Sequence, residues 1–209
     1  MSSLRQWGTA HDLDAEAQRP FARQLELLMM FVVPLDKAGL DYMLTGSLAA
    51  RLYGEPCLVR NVDVILRISD RQIPAFCALY PKKEFSCPSA DAVALEFARA
   101  GKGRVILFHL SKGYEADMYP ASDALHQWGL EHRRQISLSI TSSVWTAPPE
   151  YLLLRKLLNC VQEKSSQEHL KDAADIFTVH EGKLDMEFLR DQVKTLGVET
   201  FWKKLSAAH

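Results

Sequence analysis

The chain has 209 residues, and 47% of them are hydrophobic, which is enough for a well-buried core in one extended domain or in two small ones. Its 25 Lys and Arg residues are balanced by 26 Asp and Glu residues, so the formal net charge is −1. Proteins that hold duplex nucleic acid by bulk electrostatics are usually basic, so that class is disfavoured. A local basic patch or a small nucleotide ligand is still compatible with this balance.

Cysteine usage and hydropathy indicate where the protein works. The four cysteines are widely spaced and form no CxxC pair, which disfavours a zinc site or a disulfide framework and favours reduced thiols. Residues 1–19 are polar and lack the basic and apolar regions of a signal peptide. The longest apolar run, residues 27–35, is too short to span a bilayer. We therefore expect a cytoplasmic protein with no membrane partner.

The first predicted element is a helix from Pro20 to Gly39, because apolar residues recur there at helical spacing. Its predicted inward face comprises Phe21, Leu25, Leu28, Val32 and Leu35.

Strands and short helices are predicted to alternate after Gly39. Residues 42–44 predict a strand that stops at Gly46-Ser47, and residues 48–53 predict a short helix. The β-branched residues 62–68 predict another strand, and a capping box of Ser69 and Gln72 starts a helix that reaches residue 79.

The later part of the chain predicts one hairpin and then helices alone. After a helix at 90–100, residues 104–110 and 114–119 flank Ser111-Lys112-Gly113 and predict an antiparallel hairpin. Helices follow at 150–161, at 165–180 and after the capping residue Asp185, with a last amphipathic turn at 201–205. The predicted organisation is a polar segment at 1–19, an α+β core at 20–147 and a helical part at 148–209.

Thr45-Gly46-Ser47 lies where the first predicted strand turns into a helix. Glycine allows a close approach of the backbone to a phosphate, and the amides at the start of the helix, with the serine hydroxyl, can hold phosphate oxygens. Gly-Ser pairs also occur at many turns that bind nothing.

Two pairs of polar residues share strand faces. Asn61 and Asp63 are two apart at the start of a strand, so their side chains point the same way, as do those of Glu115 and Asp117. A carboxylate in an apolar strand is costly to bury unless it is paired, and Mg²⁺ held by carboxylates and phosphates would satisfy it. The alternatives are a strand-end aspartate bonded to a loop and a solvated acidic edge.

These residues, in this order, resemble the nucleotidyltransferases of the DNA polymerase β superfamily, at Gly46-Ser47, Asn61-Val62-Asp63 and Ala116-Asp117-Met118. Residues 45–66 are further similar to minimal nucleotidyltransferases related to the toxin component of abortive-infection, type IV toxin–antitoxin systems. The resemblance implies an α+β nucleotidyltransferase fold, in which helices flank a small mixed sheet, followed by a helical part. It also implies a nucleoside triphosphate substrate, an RNA or protein acceptor and a cognate antitoxin-like partner.

The resemblance assigns roles to residues and also meets an exception. It implies Mg²⁺, or Mn²⁺, held by three carboxylates, of which Asp63 and Asp117 are present while the first is replaced by Asn61. Asparagine keeps a ligand oxygen but removes a negative charge, which is worth roughly 4 kcal/mol beside one unit charge at 4 Å and an effective dielectric of 20. Glu115 is the candidate for a compensating ligand, although an orientation to solvent is the simpler expectation.

Basic residues complete the predicted site. Arg51 and Arg60 are candidates for contact with a triphosphate, and the basic residues of the helical part either face the cleft or form a solvated surface; these are Arg155, Lys156, Lys164 and Lys171.

Two functions are compatible with this pattern. The first is an enzyme that transfers a nucleoside monophosphate to an acceptor hydroxyl, which is favoured by Gly46-Ser47, Asp63 and Asp117. The second is a nucleotide-binding or regulatory module that has lost turnover, which is favoured by Asn61.

Overall fold

The computed structural model describes residues 23–54, 59, 61–99, 101–139, 142–162 and 166–207. The polar segment 1–19, the first residues of the predicted N-terminal helix and the candidates Arg60 and Lys164 lie outside these ranges. Within them, no helix combines the length and the apolar character needed to cross a membrane.

One mixed sheet of seven strands organises the described residues. The strands are β1 Asp41–Thr45, β2 Val62–Arg67, β3 Phe85–Ser86, β4 Val105–His109, β5 Tyr114–Pro120, β6 Arg134–Ser137 and β7 Ser143–Thr146. Their order across the sheet is β3-β4-β5-β2-β1-β7-β6. Strand β2 pairs in parallel with β5, and β1 pairs in parallel with β7, while the other neighbours are antiparallel.

Helices cover the sheet and form the C-terminal part. The first helical segment, α1, spans residues 23–37. The others are α2 Gly46–Leu52, α3 Ile73–Ala78, α4 Ala90–Phe97, α5 Ala124–Glu131, α6 Pro149–Gln162, α7 Ser166–Val179, α8 Met186–Thr195 and α9 Glu199–Ser206.

Most elements expected from the sequence are present with boundaries shifted by one to three residues. The capping box of Ser69 and Gln72 is formed, and Asp185 caps α8 by accepting a hydrogen bond from the amide of Phe188 at 2.9 Å. The hairpin of β4 and β5 is confirmed, with His109 paired to Tyr114 beside the turn.

The expected inward face of α1 is wrong at Leu25, whose residue is 37% exposed, whereas Leu27 and Phe31 are buried. Residues Leu28–Val32 form a π-helical stretch. The predicted face nevertheless continues through this stretch, since Leu28, Val32 and Leu35 are all buried.

The C-terminal helices pack on the sheet as expected. Leu152, Leu153 and Leu157 of α6 are at most 3% exposed and belong to one continuous apolar core with residues of β1 and α2. The Tyr53 hydroxyl donates to the carbonyl of Ala147 at 3.0 Å, which ties the end of α2 to the start of the helical part. This packing positions α6 across from the Gly46-Ser47 turn. The division of the chain into domains stays a prediction.

Candidate nucleotide-binding cleft

Two aspartates lie side by side at the centre of the sheet. Strands β2 and β5 are parallel neighbours, and their register pairs Asp63 with Asp117. Neighbouring strands are about 4.8 Å apart, so the two carboxyl groups project from adjacent positions. On the other side of β2, Asp63 pairs with Thr45, the last residue of β1. The register therefore brings both predicted carboxylates to the turn at Gly46.

The glycine at position 46 is required by its conformation and by Asp63. Its φ is +66°, and a Cβ built there would lie 2.1 Å from Oδ2 of Asp63. From the sequence, this glycine was expected to let a phosphate approach the backbone closely. The structure shows that the absent side chain makes room for the Asp63 carboxylate, which lies directly against the turn.

Both carboxylate oxygens of Asp117 are already hydrogen-bonded. The Asn61 side-chain amide donates to Oδ2, and Nε of Arg104 donates to Oδ1 at 2.7 Å. Asp117 is only 1% exposed. A buried carboxylate is tolerated when it is paired and hydrogen-bonded, and Asp117 meets both conditions.

Asp63 has a different environment, because it faces the cleft. Burial and the neighbouring charge of Asp117 raise the pKa of Asp63 to about 6, although Lys156, Arg104 and a hydrogen bond with Tyr119 favour the charged form. This carboxyl group is therefore half-protonated near pH 6 and still about one-tenth protonated at pH 7, where an ordinary aspartate is fully ionised.

A cleft of about 450 Å³ opens beside Asp63, between the sheet and the helical part. One wall is formed by Thr45, Gly46, Ser47, Ala50, Asp63, Ile65 and Tyr119. The facing wall comes from α5, α6 and α7 and carries Asp123, His126, Tyr151, Leu152, Arg155, Lys156, Asn159, Gln162 and Ile176.

Ion pairs hold the basic residues of the facing wall. Arg155 donates to the carboxylate of Asp123 and, from Nε, to the Tyr151 hydroxyl at 3.2 Å. Burial alone would raise the pKa of Asp123, but the hydrogen bond and charge of Arg155 outweigh it and lower that pKa. Lys156 donates to Asp172 at 2.5 Å. Both cations of this wall therefore sit in fixed positions at the cleft.

His126 is a neutral member of the same wall. Burial and the charge of Arg155 lower the pKa of His126 to about 4, despite the opposing effect of Asp123. Its Nδ1 accepts a hydrogen bond from the amide of Ser122 at 3.2 Å, so the neutral ring carries its proton on Nε2. His126 thus supplies a hydrogen-bond donor without a charge.

Five of the predicted site residues are brought together. Gly46, Ser47 and Asp63 line the cleft, Asp117 is adjacent to Asp63, and Asn61 is bonded to Asp117.

The remaining predicted site residues are not part of this group. Arg51, in the last turn of α2, does not line the cleft, and Glu115 is exposed on β5. Arg60 lies outside the described residues. Arg155 and Lys156 line the cleft, which was one of the two alternatives for the basic residues of the helical part.

Arg104 is the functional candidate that sequence reasoning missed. Ile106 of β4 pairs with Asp117 of β5, and Arg104 lies two residues before Ile106, directly ahead of β4. Residues two apart share a strand face, so Arg104 is a diagonal neighbour of Asp117 within reach of a long side chain. The register of the predicted hairpin could therefore have identified Arg104 as a neighbour of Asp117.

Comparisons with known proteins show which fold surrounds the cleft. No protein-family model matches the chain, and no curated protein is significantly similar to it in sequence. Among solved structures, an antigenic nucleotidyltransferase-like protein from Paracoccidioides brasiliensis superposes with a TM-score of 0.50 and 17% identity, covering 86% of this chain and 91% of that one. The chain has the nucleotidyltransferase fold.

Two further structures share this nucleotidyltransferase fold. The protein ANT(2″)-Ia, solved in complex with adenylyl-2″-tobramycin, superposes with a TM-score of 0.54 and 11% identity, covering 87% of this chain and 98% of its own. A protein of Thermotoga maritima assigned as a nucleotidyltransferase has a TM-score of 0.50 and 14% identity, covering 70% and 91% of the two chains. The finer resemblance to toxin components stays a prediction.

The residues present do not fit the magnesium site of three carboxylates that the resemblance implies. Asn61 presents its amide N–H group to Asp117, and Arg104 occupies the other oxygen of that carboxylate. Among the described residues, no group of three or more His, Cys, Asp or Glu side chains is placed to hold a metal ion. Mg²⁺ is held in such sites by carboxylate oxygens, and of this pair Asp63 lines the cleft whereas Asp117 does not.

Proposed function

We propose that the chain binds a nucleoside triphosphate in this cleft and acts as a nucleotide-binding or regulatory module with impaired nucleotidyl transfer. The observation that carries the proposal is the engagement of both Asp117 oxygens by Asn61 and Arg104, which occupies the carboxylate that catalysis would need. The cytoplasm is the proposed location, as the reduced thiols favour.

The size and lining of the cleft support a nucleotide ligand. Its volume of about 450 Å³ lies within the range of small-molecule sites, which is roughly 300–1,000 Å³. Arg155 and Lys156 supply positive charge on the wall that faces Gly46 and Ser47. Ile65 and Leu152 add apolar surface for a base or a sugar. A triphosphate placed between the two walls would have cations on one side and backbone amides on the other.

The identity of residue 61 supports the loss of turnover. An aspartate there would add a second acceptor group beside Asp117, and the two would repel unless a cation separated them. Asn61 replaces that repulsion with a hydrogen bond from its amide to Asp117. This hydrogen bond lets the site form without an ion. It also means that one of the three carboxylate ligands implied by the resemblance is missing.

Equilibrium titration of the protein with each of the four common nucleoside triphosphates tests the binding proposal. We expect saturable binding that Lys156→Met weakens by roughly tenfold, since a hydrogen bond to a charged group contributes about 1.5–3 kcal/mol. Lys171→Met is the matched control, because Lys171 is exposed on α7. Equal effects of the two substitutions, or no binding by the wild type, would contradict the proposal.

Transfer of a nucleoside monophosphate to a hydroxyl of RNA or protein is the second candidate. The side-by-side register of Asp63 and Asp117 favours it. The structure of ANT(2″)-Ia contains an adenylylated aminoglycoside, so a small hydroxyl compound is a third acceptor class to include. This candidate would require Mg²⁺ or Mn²⁺, as the resemblance implies, and an antitoxin-like protein would be its partner.

Incubation with labelled nucleoside triphosphates, divalent ions and total tRNA or lysate separates the two candidates. The impaired-module proposal predicts little incorporation by the wild type and more by Asn61→Asp. Incorporation by the wild type at the rate of the variant would select the enzyme instead.

A further inference from the structure

Arg104 belongs to none of the sequence motifs, and in the proposed function it acts only on Asp117. It stands immediately before β4, and its Nε donates to Oδ1 of Asp117 at 2.7 Å. The acceptor is almost fully buried, whereas the Arg104 side chain is 49% exposed. Arg104 thus brings a positive charge from the edge of the cleft to the carboxylate pair.

Two cations lie near the carboxylate pair, although one of them, Lys156, is also ion-paired with Asp172. Asp63 and Asp117 are the two acids, and Arg104 and Lys156 are the two cations that favour the charged form of Asp63. The hydrogen bond to Asp117 is also the main reason that the pKa of Arg104 is raised. Two carboxylates in register need a compensating cation. In this chain, side chains provide it.

The guanidinium has donors left for a ligand. Within the described part of the chain, its hydrogen bonding to protein is limited to Nε and Asp117. An arginine carries five N–H donors in a planar fork, and those on the two terminal nitrogens suit phosphate oxygens. Asp63, whose charge helps to raise the pKa of Arg104, lines the cleft. The guanidinium therefore adjoins a residue of the cleft lining, although Arg104 itself is not one of the lining residues.

We propose that Arg104 is a built-in replacement for a divalent ion, so that a nucleoside triphosphate binds this cleft without a metal. The guanidinium neutralises Asp117 through Nε and offers its terminal N–H groups to the phosphates. This inference rests on the proposed function, since it concerns how the same cleft holds the same class of ligand. It differs from that function in assigning the cation to a residue of the chain.

Calorimetric titration of the full chain with ATP, once in EDTA and once in excess Mg²⁺, is the test. The two affinities of the wild type are expected to agree within about threefold. Arg104→Met should weaken binding in EDTA by roughly tenfold or more, because a charge-assisted contact is lost. Arg99→Met is the matched control, since Arg99 forms a surface ion pair with Glu96.

Removal of Arg104 alone leaves the Asp117 charge buried, and that variant can fail to fold. The double variant Arg104→Met with Asp117→Asn removes both charges and keeps the test available. It should also lose binding in EDTA, and it should retain the circular dichroism spectrum of the wild type.

The outcomes separate the two proposals. If the wild type binds ATP more than about tenfold more tightly in Mg²⁺ than in EDTA, the role of Arg104 is overturned and nucleotide binding is left intact. Unchanged EDTA binding in a folded Arg104 variant would overturn that role too. No ATP binding in either buffer would overturn the proposed function itself.

Discussion

Replacing Asp63 with asparagine should make the protein more stable at neutral pH. The Asp63 carboxylate lies against Gly46 and beside Asp117, and it faces a cleft wall where solvent access is limited. These surroundings raise the pKa of Asp63 from an ordinary 3.8 to about 6. Asparagine has the shape of the protonated carboxyl group and never ionises. The substitution therefore removes a charge that the folded state holds at a cost.

The sign and size of the effect follow from proton linkage. The folded state binds the Asp63 proton more tightly than the unfolded state does, so the native state loses stability as the pH rises from about 4 to about 6 and no further above that. A pKa difference of about 2 corresponds to an order-of-magnitude penalty of roughly 3 kcal/mol at pH 7.5. Asp63→Asn should recover most of this penalty at pH 7.5 and almost none at pH 4.

Urea unfolding of both proteins at pH 7.5, 6, 5 and 4 measures the difference. Other groups that titrate in this range are common to both chains, so the gap between the two free energies of unfolding isolates Asp63. Asp191→Asn is the control, because Asp191 is exposed on α8. A variant that is less stable than the wild type at pH 7.5, or a gap that does not change with pH, would refute the reasoning.

Three further expectations concern the turn, the missing carboxylate and the helical part. Gly46→Ala should destabilise the fold by roughly 2 kcal/mol or more, since it adds a left-handed φ penalty to a clash with Asp63, and a thermal melt would show it. Asn61→Asp should lower the melting temperature without a metal and show a larger Mg²⁺-dependent rise than the wild type; equal rises would place residue 61 outside any ion site. Deleting residues 149–209 removes α6 and uncovers the apolar surface of β1 and α2 that its leucines cover, so the remaining fragment should be insoluble or molten. A cooperative melt at an unchanged temperature would contradict the shared core.

The elements with strong local patterns could be predicted from the sequence. The β-branched strand β2, the hairpin and the leucine-rich helix α6 each follow one period, and each is confirmed. The edge strand β6 could not be predicted, because it has no apolar alternation and three of its four residues are exposed. An edge strand of this kind owes its structure to pairing with β7, which only the tertiary fold supplies.

The candidate site divides in the same way. Gly46, Asp63 and Asp117 belong to local motifs, and their association could be expected from the family resemblance that the order of these motifs carries. The role of Arg104 depends on the register between β4 and β5, and the direction of the Asn61 amide depends on its neighbour Asp117. Each of these two features depends on a contact between residues that are far apart in sequence. Local periodicity carries no information about such contacts.

The location of a bound nucleotide is the most direct test of the central claim. A crystal structure of the protein with a non-hydrolysable ATP analogue should show the triphosphate between the Gly46-Ser47 turn and Lys156, with Asp117 still bonded to Asn61 and Arg104. A nucleotide bound in the separate cavity of about 250 Å³ lined by Leu66 and Phe97, or a cleft that stays empty at saturating analogue, would contradict the account.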